Sequence, residues 1–332
     1  MMSADCPLPE PTPAGPVNRL RSRAVAGGFV LLFLAGLAGL AATTGWEETR
    51  AQLARLHLWQ IGLLLLLSLG NYLLRGLRWH LFTRSLGLPT SAGSDLCNYF
   101  GGFAMSVTPA KIGELVRIRW LARETGWALD RVAPLALIDR AADLAAMALM
   151  LGGCIALATT AIRGAVPVAV LALATAAIAT RPALLAGTVT LAYRVTGRLP
   201  RLCARLRRAA LSFDVFGKSG VLLPALALGL LGWALEGFGF YLLVGWLGAD
   251  IGLATAVAIF LFATLAGGLT GAPGGVGGAE AAMIALLALD GVPLNVALAA
   301  TAIIRVTTLW FAVGIGMLAF PIAERRSVKG GK

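Results

Sequence analysis

Residues 98–117 read NYFGGFAMSVTPAKIGELVR, an apolar stretch that meets a proline, a lysine and a glutamate within six residues. Residues 267–280, GGLTGAPGGVGGAE, change in a similar way, because apolar residues give way to a proline, several glycines and a glutamate. Proline removes a backbone hydrogen bond and glycine permits turns that other residues resist, so we expect a helix to break at each stretch. Each predicted break lies beside apolar runs, which are candidates for membrane helices.

The composition is that of an integral membrane protein. Of 332 residues, 58% are hydrophobic and 13% are charged, and the mean hydropathy is +0.82. The surface of a soluble domain would not tolerate these values. Seven runs approach the roughly 20 apolar residues that a spanning helix needs, and 279–289 is a shorter eighth candidate; the seven are 24–42, 58–74, 132–158, 165–180, 221–247, 251–269 and 297–320. We predict an all-α polytopic membrane protein with about eight transmembrane helices and two broken or re-entrant elements.

The basic residues predict the orientation of the chain. It carries 28 Lys plus Arg against 16 Asp plus Glu, a formal net charge of +12. These residues lie in short segments beside apolar runs, which is the positive-inside pattern, so we expect no nucleic-acid partner. The N-terminus and the segments 75–131 and 181–220 should be cytoplasmic, with the protein in the cytoplasmic membrane. The C-terminal segment is basic too, which favours eight crossings over seven.

Three regions divide the chain. Residues 1–23 contain five prolines and no apolar run, which predicts a disordered cytoplasmic tail rather than a signal peptide. Residues 24–320 should form the transmembrane domain, and 321–332 a basic tail. Within the domain, basic and apolar residues recur at helical spacing over 198–213 and predict an interfacial amphipathic helix. That helix either attracts anionic headgroups or only fixes the orientation of its neighbours.

The two interrupted stretches also favour an internal duplication. A proline, a glycine and a glutamate recur in the two stretches: Pro109, Gly113 and Glu114, then Pro273, Gly277 and Glu280. An arginine follows each proline, Arg140 after 31 positions and Arg305 after 32. Many transporters consist of such repeats, with broken helices around a site near the midplane. Chance can also produce this match in a chain with 41 glycines, and a parallel or an inverted arrangement of the halves is open.

Ionisable residues inside apolar segments identify the candidate site: Asp139, Arg140, Asp143, Glu236, Glu280 and Arg305. Each would cost roughly 3 kcal/mol in contact with lipid, so we expect them to line a polar cavity. Asp139 and Asp143 are four residues apart on one helix face, and Arg140 is near enough to neutralise Asp143. Arg140 and Asp143 form either part of a substrate site or an ion pair that fixes packing. For Arg305 and Glu280, a third alternative is that they do not touch.

The predicted breaks add backbone donors to this site. Irregular backbone is tolerated at membrane depth only where it is buried in protein or lines water. We expect new helices near Lys111 and near Gly278, each presenting the positive end of its dipole and free N–H groups. Next to arginines, such helix starts favour a phosphate group. The residues expected to form the two loops are Pro109, Gly113, Pro273, Gly274, Gly275 and Gly277.

Most other chemistries find little support in the sequence. The glycine-rich loop has no preceding strand and no following Gly-Lys-Ser, unlike a nucleotide-binding loop. His57 and His80 are too far apart to suggest a metal pair, and no Ser-His-Asp or Cys-His arrangement is visible. We therefore predict no cofactor and no metal.

Two alternatives to transport stay open. A membrane enzyme acting on a lipid-linked substrate could use Glu114, Asp139 and Asp143 as acid, base or metal ligands. An assembly partner without transport would use small residues such as Gly36 and Gly39 for helix contacts.

Three segments carry a resemblance to a known family. They are TPAKIGELVR at 108–117, DRAAD at 139–143 and PGGVGGAEAA at 273–282, followed by GVP at 291–293 and by Arg305. From about residue 58 to 320 the chain resembles the flippase-like membrane domain of lysylphosphatidylglycerol synthases, which also occurs as a stand-alone membrane protein. Ala110, Ala279 and Asp290 depart from the family pattern, and these departures concern headgroup specificity.

The resemblance implies movement of a lipid or lipid-linked headgroup across the bilayer, with a membrane lipid as partner. Two-domain members also carry a soluble aminoacyl-transfer domain, which we expect this chain to lack because its last predicted span ends at residue 320 of 332. Arg140 and Arg305 would hold a phosphate, while Glu114 and Glu280 would contact a cationic headgroup or accept a coupling proton. The full set expected to bind substrate is Glu114, Arg117, Asp139, Arg140, Asp143, Glu280 and Arg305.

Overall fold

The structure is a computed structural model that describes residues 56–106, 108, 115–157, 165–180 and 219–330, and within these ranges it contains helices and no β-strand. The first group of helices is α1 (Leu58–Ser85), α2 (Ala92–Phe103), α3 (Val116–Thr125), α4 (Leu129–Val132), α5 (Pro134–Leu157) and α6 (Ala165–Thr180). The second is α7 (Ser219–Trp246), α8 (Leu253–Leu269), a 3-10 turn (Pro273–Gly275), α9 (Gly278–Leu289), α10 (Leu294–Arg305), a π-helical turn (Val306–Trp310) and α11 (Phe311–Gly330).

Several helices have the length that a membrane span requires. In the described part of the chain, four are long and apolar enough to cross: Leu58–Ser85, Leu129–Leu157, Gly220–Trp246 and Leu294–Val328. Two more are apolar but shorter, Leu253–Leu269 and Gly278–Leu289. The predicted all-α polytopic membrane fold is confirmed. The predicted span at 24–42, the loop at 109–114 and the amphipathic segment 198–213 lie outside the described residues.

The order of helices repeats along the chain. Each half begins with a helix of 28 residues, α1 and α7. A short helix, an interruption and a second short helix follow in both halves, and a long apolar segment comes next. Helix α1 packs along α7, and α2 packs along α11. This order agrees with the duplication predicted from the two interrupted stretches.

The second interruption has the form that its sequence predicts. Gly274, Gly275 and Gly277 all have positive φ angles, of 64°, 68° and 87°, which side chains with a Cβ rarely adopt. Helices α8 and α9 meet directly at the base of this loop, because a Cβ on Gly267 would lie 2.6 Å from the Cβ of Ala279. The glycines therefore allow two short helices to turn sharply and pack side by side.

Helix α1 is longer than the apolar run that predicted it. The run ends at residue 74, but the helix continues to Ser85 and buries Arg78 and Trp79 on the way. The prediction that Arg75 and Arg78 lie in a segment between spans is wrong, because both lie within this helix. Both arginines belong to a helix face turned toward the carboxylates of α5, which neutralise them.

Candidate functional site

The core of the site is an ion-pair network between α1 and α5. Arg78 Nη2 lies 2.7 Å from Asp139 Oδ1 and 2.7 Å from Asp143 Oδ1. The Arg78 and Asp139 side chains are fully buried, with 0% exposure. Arg75, one helical turn earlier, donates from Nη2 to Asp143 Oδ2. The two aspartates face α1 together because they are four residues apart on one helix face.

Aromatic rings cover the cationic side of this network. The Arg75 guanidinium lies 5.0 Å from the ring centre of Trp233 on α7. Arg117 of α3 is 3% exposed and lies between Trp79 and Tyr99, at 4.7 Å and 4.8 Å from their ring centres. Cations are attracted to aromatic faces, and the attraction is larger where water is excluded. These contacts hold the guanidinium groups in place without neutralising their positive charge.

Arg117 joins the network through Asp139. Its Nη1 lies 3.7 Å from Asp139 Oδ2. Gly102 of α2 leaves room for this arginine, since a Cβ there would lie 2.6 Å from Arg117 Cδ. Thus α1, α2, α3 and α5 all help to position one charged cluster.

A second ion pair ties the glycine-rich loop to α10. Arg305 Nε donates to Glu280 Oε1 at 2.6 Å, and Arg305 Nη2 donates to the carbonyl oxygen of Gly274 at 2.8 Å. The other Glu280 oxygen accepts from the backbone N–H of Gly277 at 2.7 Å. Glu280 is 3% exposed and Arg305 is 8% exposed. The pair excludes the alternative in which they do not touch, and the carboxylate caps the start of α9 that was expected to offer free donors.

A polar cavity of about 110 Å³ connects the two charged groups. Arg75, Arg140 and Arg305 all line it, together with Glu236 of α7. Arg140 and Arg305 are the two arginines that occupy corresponding positions after the predicted loops. The structure therefore brings both into one cavity.

A second, larger cavity of about 380 Å³ adjoins the first. Both cavities are lined by Arg75, Arg140, Trp233, Thr264, Gly268 and Gly275. Away from these shared residues the lining of the larger cavity is mainly apolar: Leu144, Met147, Val168, Leu171, Leu265 and Leu269. Leu171 and Leu269 are 52% and 64% exposed, so the cavity reaches the apolar surface of the helix bundle.

Most residues of this site are ones that the sequence predicts, and two of its arginines are not. Asp139, Asp143 and Arg117 lie in one network, and Glu280 meets Arg305, whereas Glu114, Pro109 and Gly113 lie outside the described residues. Arg75 and Arg78 were missed as partners of the aspartates, because Asp143 was assigned to Arg140. One signal could have found them: Asn71, Arg75 and Arg78 recur at spacings of four and three, which places them on one helix face.

Comparison with known proteins agrees with this architecture. The family described as the lysylphosphatidylglycerol synthase TM region matches residues 24–316. The chain belongs to this family. As a member of the lysylphosphatidylglycerol synthase TM-region family, it carries the α1–α5 network and the glycine-rich loop inside the matched range. The resemblance noted from the sequence is confirmed.

Two relatives are UPF0104 membrane proteins of Methanothermobacter thermautotrophicus. One is 32% identical over 126 residues, which covers 36% of this chain and 37% of the relative. The other is 31% identical over 107 residues, covering 32% of this chain and 31% of the relative. The chain thus spans about a third of the length of these curated relatives.

Proposed function

We propose that this protein moves a phospholipid or a lipid-linked amphiphile across the cytoplasmic membrane. The observation that carries the proposal is the pair of adjoining cavities, which share Arg75 and Arg140: the smaller adds Arg305, and the larger adds mainly apolar side chains. An amphiphile likewise has a charged headgroup and an apolar chain. Its phosphate would lie near Arg140 and Arg305, and its acyl chain would occupy the larger cavity toward the surface of the bundle.

The charges of the site favour an anionic headgroup. Among the described residues, the network and the cavity contain five arginines and four carboxylates: Arg75, Arg78, Arg117, Arg140 and Arg305, with Asp139, Asp143, Glu236 and Glu280. With all of them ionised, one positive charge is in excess. A guanidinium group binds phosphate oxygens through two parallel hydrogen bonds. A phosphodiester, with one negative charge, would be attracted by that excess.

Carboxylates and a backbone carbonyl of the protein already bind several of these arginines. Arg78 is committed to two aspartates, and Arg305 is committed to Glu280 and Gly274. Arg75 holds Asp143 and contacts Trp233 while also lining both cavities. Substrate binding would therefore rearrange contacts rather than fill an unused set of donors. Such exchange suits a transporter, which must release its substrate on the other side.

The proposal is tested with purified protein in vesicles of phosphatidylcholine and phosphatidylglycerol that contain a fluorescent phosphatidylglycerol. Chemical quenching from outside measures how fast the probe changes leaflet. We expect faster exchange with the protein than in empty vesicles, and a loss of most of this gain in Arg140→Gln. Arg131→Gln is the matched control, because Arg131 is exposed and stacks on Trp127.

The same vesicles separate transport from chemistry. Mass spectrometry of the recovered probe should find its mass unchanged, as transport requires, whereas an altered headgroup would favour the enzyme alternative. Equal exchange rates in protein-containing and empty vesicles, for anionic and zwitterionic probes and a polyprenyl phosphate alike, would reject lipid movement.

A further inference from the structure

Glu236 differs from the other buried carboxylates of the bundle. It lies on α7, is 6% exposed and contributes to the lining of the polar cavity. Each of the other buried carboxylates in the described residues has an arginine or a histidine within 4.0 Å: Asp95, Asp139, Asp143 and Glu280. Within the same part of the chain, Glu236 has no ion pair at that distance.

A carboxylate without an ion pair in this place is costly when it is ionised, even though the neutral Asn71 side chain interacts with it. Removing a charge from water without a close partner is far more expensive than burying its neutral form. The balance between the two forms therefore depends on the charges around the cavity. Ionisable residues in such positions inside membranes commonly belong to proton or ion pathways.

The titratable groups around Glu236 come from three of the helices that pack near α7, which are α1, α5 and α10. Helix α8, which packs against α7, contributes no titratable side chain to this region, since its sequence LATAVAIFLFATLAGGL contains none. The remaining helices surround the cavity with these groups: Tyr72 and Arg75 from α1, Arg140 and Asp143 from α5, and Arg305 from α10, with Asp139 and Glu280 behind their arginines.

A bound phosphate and an ionised Glu236 would compete for the same cations. Arg75, Arg140 and Arg305 share the cavity with this carboxylate, so a negatively charged headgroup there repels it. A proton on Glu236 removes that repulsion and leaves the arginines available to the headgroup. By thermodynamic linkage, each ligand then raises the affinity for the other by the same factor.

We propose that Glu236 binds a proton together with the anionic headgroup, so that the lipid and a proton move in the same direction. The inference rests on the proposed function and extends it to energy coupling. The proton comes from water on the side where the lipid enters, is carried as the neutral carboxylic acid, and returns to water when the headgroup leaves. A proton gradient would thereby drive lipid movement.

Proton uptake on lipid binding is the direct test. Purified protein in weakly buffered detergent is titrated with short-chain phosphatidylglycerol while an indicator dye follows the pH. Wild-type protein should take up about one proton per lipid bound at saturation when Glu236 starts ionised. Glu236→Gln should bind the lipid without this uptake, and Asp250→Asn, a change at an exposed carboxylate in the α7–α8 loop, should behave as wild type. Lipid binding by the wild type with no uptake between about pH 6 and about pH 8, or equal uptake in Glu236→Gln, would overturn the inference.

Vesicle measurements separate this inference from the proposed function. We expect the wild-type exchange rate to rise as the pH falls, by at most about tenfold per pH unit for one linked proton, and Glu236→Gln to lose this dependence. If the wild type moves lipid and Glu236→Gln keeps the full pH dependence, the proton site is wrong and lipid movement stands. If the wild type moves no lipid, the proposed function and the coupling both fail. The uptake measurement on wild-type protein decides the matter even if Glu236→Gln does not fold.

Discussion

The carboxylates of α5 and the carboxylate of α9 are both neutralised by arginine, but their arginines differ in origin and in number. Asp139 and Asp143 share Arg78 and receive further arginines from α1 and α3. Glu280 has one arginine, Arg305, which also holds a loop carbonyl. The first arrangement joins three helices, and the second joins a loop to a helix.

This difference separates two tasks that buried charge performs. In the α1–α5 network one arginine, Arg78, serves two buried aspartates, so its loss leaves both carboxylates short of a partner. In the Glu280–Arg305 pair the same kind of contact fixes the shape of a glycine-rich turn beside the cavity. We therefore expect changes in the network to act first on stability, and changes in the pair to act first on transport.

The largest effect should follow removal of Arg78. Arg78→Met keeps the side-chain length but leaves Asp139 and Asp143 short of a partner, which should cost about 3–5 kcal/mol because a broken buried pair leaves an uncompensated charge. Thermal unfolding in detergent measures the loss. Arg131→Met, at an exposed position, should change stability by less than about 1 kcal/mol. Equal effects of the two changes would contradict a structural role for the network.

An intermediate effect is expected from Glu280→Gln. This change keeps the shape of the side chain but removes the charge that Arg305 contacts, and a hydrogen bond to a charged group contributes about 1.5–3 kcal/mol. Unfolding in detergent should show a loss in that range. The double change Glu280→Leu with Arg305→Leu should be more stable than either single change; if the double change were the least stable of the three, the pair would not be the reason for the loss.

Arg305→Lys tests the role of the Glu280–Arg305 pair beside the cavity, because it keeps the positive charge. Lysine lacks the planar fork that reaches both Glu280 and Gly274, and it binds phosphate as a point charge. We expect a normal amount of protein in the membrane and a reduction of lipid exchange by about tenfold, which corresponds to 1.4 kcal/mol. Full exchange activity at matched protein amounts would leave Arg305 as a structural partner only.

Two glycines of the loop provide a smaller and sharper comparison. Gly275 and Gly277 both have positive φ angles, but a Cβ on Gly275 would lie 3.1 Å from the backbone carbon of Gly267, whereas Gly277 has open space around it. Gly277→Ala should cost only the backbone strain, about 1–3 kcal/mol, because its φ of 87° and ψ of −56° lie in a sparsely populated region. Gly275→Ala should cost more, because helix α8 must also move. Identical unfolding temperatures for the two variants would argue against this crowding.

The smallest effect is expected at the surface. Arg123 Nη1 lies 2.9 Å from Glu324 Oε1, and the two side chains are 34% and 42% exposed. Exposed pairs of this kind contribute about 0–1 kcal/mol. Arg123→Gln should therefore leave the unfolding temperature nearly unchanged, and the difference from the wild type should shrink further at high salt.

Sequence patterns predicted the helices well and the partners of the charges less well. Hydrophobic runs found the spans, and the prolines and glycines found the interruption between α8 and α9, because both are local properties of the chain. The role of Arg75 and Arg78 could not be obtained in this way. Their burial depends on carboxylates more than sixty positions later, and the end of an apolar run looks the same whether the helix stops or continues as a polar face.

The π-helical turn at Val306–Trp310 sets which face of α11 points inward relative to α10. Such a turn holds one residue more than an α-helical turn, so the helix after it is rotated by about 100° relative to an uninterrupted one. Before the turn, the inward face carries Arg305 to the cavity; after it, the inward face carries Gly316 against α2, where a Cβ would lie 2.2 Å from the backbone nitrogen of Ala104. The Tyr72 hydroxyl donates to the Thr308 carbonyl within this turn. Deleting any one residue here would leave the helix as apolar as before and still direct its second half toward the wrong neighbour.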